Sequence, residues 1–260
     1  MFANYERDRA AFFNYLQSEY EAPFSGWDFS HLDGRMVEDL SILTWDYRVA
    51  IEAHLPDIHS LLDIDTGGGE FLASLEPLPA DTCATESYAP NIPVARRRLE
   101  PLGVQVYAIS EERLFPSENE RFDLVINRHG AYSPSEVSRV LKPGGLLITQ
   151  QVDGAGHFDD FNHALGALAG QNYPHWQLAY ACKGLKNAGF EILERAEARP
   201  TTRFYDVGAL VYYLKVIPWQ INDFSVEKYL PQLEKIRAQI QRDGSLVVHS
   251  HYFFVIARKP

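Results

Sequence analysis

The stretch Leu61-Leu62-Asp63-Ile64-Asp65-Thr66-Gly67-Gly68-Gly69-Glu70-Phe71-Leu72 decides the fold. An apolar run ends in a glycine cluster, and the residues that follow have the pattern of a helix. An acid, Glu86, stands about twenty residues further on, at the end of the next strand-like segment. Open α/β sheets hold nucleoside-containing cofactors in this way, because glycines let the backbone approach the ligand and the acid accepts the ribose hydroxyls. The stretch therefore predicts a cofactor site at one edge of a sheet.

The third position of the glycine pattern narrows the kind of cofactor. A dinucleotide fold uses G-x-G-x-x-G, whose last glycine lets helix and strand pack closely beneath a pyrophosphate. Here Gly67 and Gly69 are followed by Leu72 at that position, and Asp63 lies ahead of the loop. An NAD-dependent dehydrogenase is therefore disfavoured.

The order of an acid and alternating glycines resembles motif I of the class I S-adenosyl-L-methionine (SAM) dependent methyltransferases. Two later segments are similar to the same family: Phe122–Asn127 to its fourth strand, and Glu136–Ile148 to its helix, turn and fifth strand. The resemblance covers residues 55–200 and implies an α/β fold with a doubly wound, mostly parallel seven-stranded sheet whose last strand is antiparallel. It also implies methyltransferase activity, with SAM as the cofactor and S-adenosyl-L-homocysteine (SAH) as the product.

The chain divides into a core and two additions. The alternation of strand-like and helical segments favours a parallel sheet with helices on both faces. We expect the core over residues 57–202 and 245–260, an N-terminal helical cap over 1–56, and a helical insertion over 203–244 as a candidate substrate cap. Apolar residues at helical spacing predict helices over 4–20 and 35–55, and the last strand is predicted to run from Leu246 to Ala257.

The resemblance assigns the cofactor to a set of residues around the glycine loop and the next three strands. Glu86 would accept both ribose hydroxyls, and Glu111 would meet the adenine amino group. The full set is Asp63, Asp65, Gly67, Gly69, Glu86, Ser87, Glu111 and Asn127.

One member of this set departs from the family pattern. Asp65 stands where the first loop glycine usually stands. Asp tolerates left-handed backbone angles better than most residues, so we expect the turn to form. Its charge would lie near the methionine end of SAM, where it could pair with the ammonium or repel the carboxylate.

The end of the predicted fourth strand supplies the candidate catalytic residues. His129 has the pKa range of a general base, and Arg128 could bind an anionic group of the substrate. The alternative is that both residues only close the cofactor pocket. Four further residues are candidates for substrate binding: Tyr132, Gln151, Tyr205 and Tyr212. The alternative is packing in the core for Tyr205 and Tyr212, and a polar residue of a loop for Gln151.

Composition limits the partners. The net charge of −11 and pI near 5.3 make nucleic acid an unlikely partner, because phosphate binding needs a basic surface. Two cysteines are too few for a disulfide framework, and no metal-ligand spacing occurs, so no metal is expected. No signal segment or membrane span is evident, and a cytoplasmic protein is expected.

The sequence therefore favours a methyltransferase that acts on a small molecule. Two alternatives stay open: an RNA or protein methyltransferase, and a catalytically silent protein that binds SAM or a nucleoside. The absence of an Asn-Pro-Pro-Tyr or Asp-Pro-Pro-Tyr motif, which marks many amino-group methyltransferases, weighs against DNA adenine as the substrate. The methyl acceptor, the atom that is methylated and the oligomeric state are not predicted.

Overall fold

Two sheets organise the chain. The computed structural model describes residues 2–110, 114–167, 173 and 175–260. The strands are β1 (Met36–Asp39), β2 (Ser60–Ile64), β3 (Asp81–Glu86), β4 (Gln105–Ala108), β5 (Phe122–Arg128), β6 (Leu141–Val152), β7 (Glu191–Ala198), β8 (Thr201–Phe204), β9 (Leu246–His249) and β10 (Tyr252–Arg258). The α-helices are α1 (Phe2–Glu21), α2 (Tyr47–Glu52), α3 (Glu70–Ala73), α4 (Ile92–Leu99), α5 (Pro134–Val140), α6 (Asp159–Leu165), α7 (Leu178–Asn187), α8 (Val207–Val216) and α9 (Val226–Asp243). Short 3₁₀ helices lie at Ser30–Leu32, Leu40–Ile42, Leu55–Asp57 and Glu100–Leu102.

The main sheet has seven strands in the order β4-β3-β2-β5-β6-β10-β7 within the described residues. β2 to β6 pair in parallel, and β10 runs antiparallel to both β6 and β7. β2 is buried along its whole length, as expected for a central parallel strand covered on both faces. The predicted doubly wound sheet with an antiparallel last strand is confirmed.

A second, three-stranded sheet joins the N-terminal region to the insertion. Its order is β1-β8-β9, and both pairings are antiparallel, with Met36 opposite Phe204. Helices α1, α8 and α9 pack with this sheet around a separate apolar cluster that includes Leu16, Phe204 and Leu233. We call this unit, residues 2–46 together with 199–250, the cap.

Capping side chains start the helices of the cap. The Asp206 carboxylate accepts a hydrogen bond from the Ala209 amide, 2.8 Å away, at the start of α8. The Ser225 hydroxyl accepts one from the Lys228 amide, 3.2 Å away, at the start of α9. Each bond satisfies a backbone N–H that the helix itself leaves without a partner.

The predicted helix over residues 35–55 is wrong for most of its length. Met36–Asp39 is the strand β1, and a helix begins only after Asp46, whose carboxylate caps α2 through the Val49 amide. The apolar spacing misled because Leu40 is exposed, while Tyr47 and Ile51 are buried. Pairing with β8, which is distant in sequence, overrides the local pattern.

The predicted last strand and the predicted helical insertion also need correction. The segment from Leu246 to Ala257 is two strands in different sheets, because β9 pairs with β8 whereas β10 pairs with β6 and β7. Ser250 and His251 lie between them. The predicted insertion, residues 203–244, starts within β8, because Arg203 and Phe204 are strand residues, and β9 lies just beyond its end.

Two apolar clusters cover the faces of the main sheet. One includes Val125, Tyr132 and Phe253, and the other includes Trp45 and Phe254. None of the helices in the described part of the chain is long and apolar enough to cross a membrane.

Candidate functional site

The glycine loop forms a tight turn with Asp65 at its first position. Asp65 has a backbone φ of 54°, Gly67 of 66° and Gly69 of 81°. The loop is tied to the end of β3, because the Thr66 amide donates to the Thr85 carbonyl at 2.9 Å and the Asp65 amide to the Thr85 hydroxyl at 3.2 Å. Asp65 therefore adopts the left-handed conformation that glycine usually adopts at this position.

Close contacts with neighbouring side chains explain why positions 67 and 69 are glycine. A Cβ atom on Gly69 would lie 2.7 Å from Cγ of Leu99 in α4, so only glycine lets the loop pack on that helix. A Cβ atom on Gly67 would lie 2.5 Å from Cδ1 of Trp27, so an indole from the cap lies directly on the loop. The loop is thus bordered by α4 on one side and by the cap on another.

Glu86 carries an unpartnered oxygen at the end of β3. The residue is 2% exposed. Its Oε1 accepts a hydrogen bond from the Tyr88 amide at 2.7 Å, whereas Oε2 is buried and has no hydrogen-bond partner in the described part of the protein. Burial raises the pKa of the Glu86 carboxyl, against the Tyr88 amide, which lowers it. A buried acceptor without a donor is costly, so Oε2 fits a site that a ligand hydroxyl completes.

Asp63 and Arg128 lie near one another beneath the loop. Asp63 is 5% exposed, and burial raises the pKa of its carboxyl to about 7, although the charge of Arg128 opposes this shift. The Arg128 guanidinium lies 4.7 Å from the ring centroid of Phe71 in α3, a cation–π distance. The structure therefore brings Arg128 to the helix that follows the glycine loop.

Asn127 and Gln151 are hydrogen-bonded to each other at the carboxyl ends of β5 and β6. Asn127 Nδ2 donates to the Ile64 carbonyl at 2.9 Å, and its Oδ1 accepts from the Gln151 amide and, at 3.3 Å, from the Thr149 hydroxyl. Gln151 Nε2 also lies 3.2 Å from the Gly130 carbonyl. These bonds fix the carboxyl ends of β2, β5 and β6 relative to one another, which is a supporting role for both residues.

His129 lies at the end of β5 beside the first residue of β10. Its φ is 63°, and its ring is parallel to that of Tyr252, with 5.5 Å between the centroids. Gln150 Nε2 lies 3.5 Å from His129 Nε2, and Trp45 Nε1 donates to Gln150 Oε1 at 2.8 Å. The amide of Gln150 is thereby oriented with its nitrogen toward the imidazole.

The surroundings keep His129 neutral. Desolvation of its ring lowers the pKa of His129, and the charge of Arg128 acts in the same direction. A neutral imidazole has one nitrogen free to accept a proton. His129 is therefore neutral at physiological pH.

Sequence reasoning missed a polar group contributed by the cap. The Tyr252 hydroxyl donates to Oε1 of Glu38 in β1 at 2.9 Å. The same carboxylate accepts hydrogen bonds from the hydroxyls of Ser250 and Thr202. Burial raises the pKa of the Glu38 carboxyl. No local motif could have found this group, because only the pairing of β1 with β8 brings Glu38 to Tyr252.

The remaining predicted residues lie in three places. Ser87 is half-buried beside Glu86, and Tyr132 is buried with its ring edge-on to Trp176 at 5.7 Å. Tyr212 is 1% exposed inside the cap, where its hydroxyl donates to the Pro23 carbonyl at 3.1 Å. Tyr205 is an exposed residue of the cap, and Glu111 lies outside the described residues. All of these assignments stay predictions.

Comparison with protein families identifies the core. Residues 62–149 match the family model described as "Methyltransferase domain". This match spans the glycine loop, Glu86, Asn127 and His129. Together with the seven-stranded sheet, it gives this part of the chain the fold of a class I, Rossmann-like methyltransferase domain, and the cofactor of such domains is SAM.

Curated relatives match the same part of the chain. A ubiquinone biosynthesis O-methyltransferase of Roseobacter denitrificans is 35% identical over 97 residues, which cover 34% of this chain and 39% of that protein. One of the same name from Cereibacter sphaeroides is 34% identical over 96 residues, again 34% and 39%. The chain thus spans about two fifths of the length of these relatives.

Solved structures share the fold over more of the chain. A proposed methyltransferase from Bacillus halodurans superposes with a TM-score of 0.58 at 22% identity, covering 82% of this chain and 97% of that one. A protein of unknown function from Deinococcus radiodurans gives 0.59 at 13% identity, covering 99% and 100%. At these identities the likeness concerns the fold alone.

Proposed function

We propose that the protein is a SAM-dependent methyltransferase that methylates a hydroxyl oxygen of a small molecule. The observation that carries this proposal is the buried, unpartnered Oε2 of Glu86 beside the glycine loop. A ribose hydroxyl is the kind of donor that such an oxygen requires, and a dinucleotide is disfavoured by Leu72. The names of the curated relatives support oxygen as the methylated atom.

The chain's own residues define how the cofactor would be held. Glu86 would accept the ribose hydroxyls, and the backbone at Gly67 and Gly69 would approach the ligand closely. Asp63 lies buried at the end of β2 and would orient the loop from below. When bound, SAM supplies a methyl group on a positively charged sulfur.

His129 would act on the acceptor. The neutral imidazole of His129 would accept the proton of the acceptor hydroxyl as that oxygen is methylated. Tyr252 would hold the imidazole in place through ring stacking, and Glu38 would hold Tyr252. Arg128 lies next to His129 in the chain and would bind an anionic part of the acceptor or close the pocket.

The alternatives have less support. The net charge of −11 speaks against an RNA substrate. The hypothesis of a catalytically silent binder depended on Asp65. The left-handed conformation of Asp65 keeps the turn of the glycine loop intact. No specific contact favours a protein substrate over a small molecule.

An acceptor screen with a matched pair of histidine variants tests the proposal. Methyl transfer from labelled SAM to a panel of phenols and catechols is measured for the wild type, His129→Ala and His249→Ala. His249 is an exposed imidazole of the cap that pairs with Asp160, so its removal should leave turnover unchanged. We expect His129→Ala to lower kcat about a hundredfold with little change in SAM affinity. Equal losses of turnover and SAM affinity would make His129 a pocket residue.

A further inference from the structure

A second histidine, His157, lies close to His129. His129 follows β5 and His157 follows β6, and these two strands are parallel, so both residues lie at the carboxyl edge of the main sheet. The two imidazoles contact the same ring, that of Tyr252, with 5.5 Å and 5.6 Å between the centroids. His157 is therefore a neighbour of the methyl-acceptor site that the proposed function places at His129.

The backbone around His157 is held in an unfavourable conformation. The next residue, Phe158, has a φ of 56°, which a bulky side chain rarely adopts. Phe158 is buried in the apolar cluster of the cap, and its amide donates to the His249 carbonyl at 3.0 Å. Gln220 Nε2 donates to the His157 carbonyl at 3.2 Å. Strain of this kind is concentrated at functional sites and persists only where the surrounding structure maintains it.

One ring nitrogen of His157 is engaged by the backbone. Nδ1 accepts a hydrogen bond from the His251 amide at 3.0 Å, and the ring packs on Phe158 with 4.1 Å between the centroids. A nitrogen that accepts a hydrogen bond carries no proton, so the proton of the neutral imidazole lies on Nε2. Burial lowers the pKa of His157 to about 3, which agrees with a neutral ring.

The other ring nitrogen of His157 is a donor that is open to a ligand. The residue is partly exposed, and Nε2 makes no hydrogen bond to any residue that the structure describes. At His129 the situation is reversed, because the Gln150 amide nitrogen lies 3.5 Å from Nε2 and faces it as a donor. The two imidazoles therefore offer one proton acceptor and one hydrogen-bond donor at the same edge of the sheet.

We propose that His157 is a substrate-binding residue, which donates from Nε2 to a carbonyl oxygen of the molecule whose hydroxyl is methylated. This inference rests on the proposed function and adds the substrate class, a hydroxy compound that also carries a carbonyl group. A carbonyl oxygen has lone pairs and no proton, which is what a fixed N–H donor requires. A hydroxy compound without the carbonyl would leave that donor without a partner, and this loss discriminates against it.

Pairs of methyl acceptors that differ in the carbonyl oxygen test the assignment. Transfer from labelled SAM is measured with the ortho, meta and para isomers of hydroxyacetophenone and with the corresponding ethylphenols. His157→Asn keeps an oxygen that can accept from the His251 amide but shortens the side chain, so the donor at the Nε2 position is lost. His163→Asn is the matched control, because His163 is an exposed imidazole of α6.

We expect the wild type to prefer the ketones over the ethylphenols in kcat/KM. His157→Asn should reduce this preference about tenfold, mainly through a higher KM for the ketone, with SAM affinity unchanged. His163→Asn should keep the preference of the wild type. An unchanged preference in His157→Asn, or an equal reduction in His163→Asn, would overturn the inference. So would a wild type that binds SAM and methylates none of the ketones.

Nitrogen NMR of the imidazoles at pH 7 tests the state of the ring without any methyl acceptor. The signals that disappear in His157→Asn belong to His157. We expect a protonated Nε2 and an unprotonated Nδ1. A proton on Nδ1 would overturn the inference, because Nε2 could then not donate. A wild type that binds no SAM would instead refute the proposed function.

Discussion

The acids at the cofactor loop and the two acids paired with Arg35 in the cap respond to burial in opposite ways. In the cap, the Arg35 guanidinium bridges Glu19 at 2.9 Å and Asp206 at 2.7 Å. Burial raises the pKa of both carboxyls, but the hydrogen bonds from Arg35 outweigh it, and both pKa values are lowered. At the loop, burial has a larger effect than the neighbouring hydrogen bonds, and the pKa values of Asp63 and Glu86 are raised.

This difference distinguishes acids that stabilise the fold from acids that form a binding site. Acids that serve folding are paired, because an unpaired buried charge costs free energy. Acids with raised pKa values at the edge of a sheet are typical of sites that a ligand completes. The Arg35 cluster of the cap should therefore respond to mutation through stability, and the loop through cofactor affinity.

The largest effect is expected from Arg35→Met in the cap. Removing Arg35 takes from Glu19 and Asp206 the guanidinium that they share, which should lower the free energy of unfolding by about 2–4 kcal/mol. Urea denaturation measures it. Arg48→Met is the control, because Arg48 pairs with Glu52 on the surface and such pairs contribute about 0–1 kcal/mol. A loss as small as that of the control would erase the contrast between the two regions.

A smaller effect is expected from Glu86→Gln, and in a different quantity. The variant keeps the shape of the side chain but removes its charge, and we expect SAM binding to weaken by about 1–3 kcal/mol. Unfolding by urea should show no loss of stability, since Oε2 has no partner among the described residues. Glu100→Gln, at an exposed position, serves as the control. Destabilisation without a change in SAM affinity would assign Glu86 to the fold.

The smallest expected effect is a pH dependence of the free energy of unfolding that arises from Asp63. The pKa of this acid is raised from 3.8 to about 7 in the folded protein, so the folded state binds the proton more tightly than the unfolded chain. The contribution of Asp63 to stability is therefore fully present below pH 3.8 and is lost as the pH rises through 7.

Asp63→Asn should remove that loss. We expect the variant to gain about 1–2 kcal/mol of stability relative to the wild type between about pH 5 and about pH 8, measured by urea denaturation. Asp57→Asn, at an exposed position, controls for the change in net charge. A pH-independent difference would mean that Asp63 stays ionised in the folded protein.

The sequence predicts features of the main sheet better than features of the cap. The strands of the main sheet and Glu86 were predictable, because the glycine loop and the next acid lie within one βαβ segment. The strand at Met36–Asp39 and the contact of Glu38 with Tyr252 were not, because they depend on pairing with β8, which is far away in the chain. Trp27 belongs to the second class, since nothing near it in sequence indicates a neighbour in the glycine loop.

Calorimetric titration of the wild-type protein with SAM tests the central claim most directly. The account predicts saturable binding of one SAM per chain, with SAH competing for the same site. Absence of heat with either compound, in protein shown to be folded, would contradict the claim that Glu86 and the glycine loop form a cofactor site.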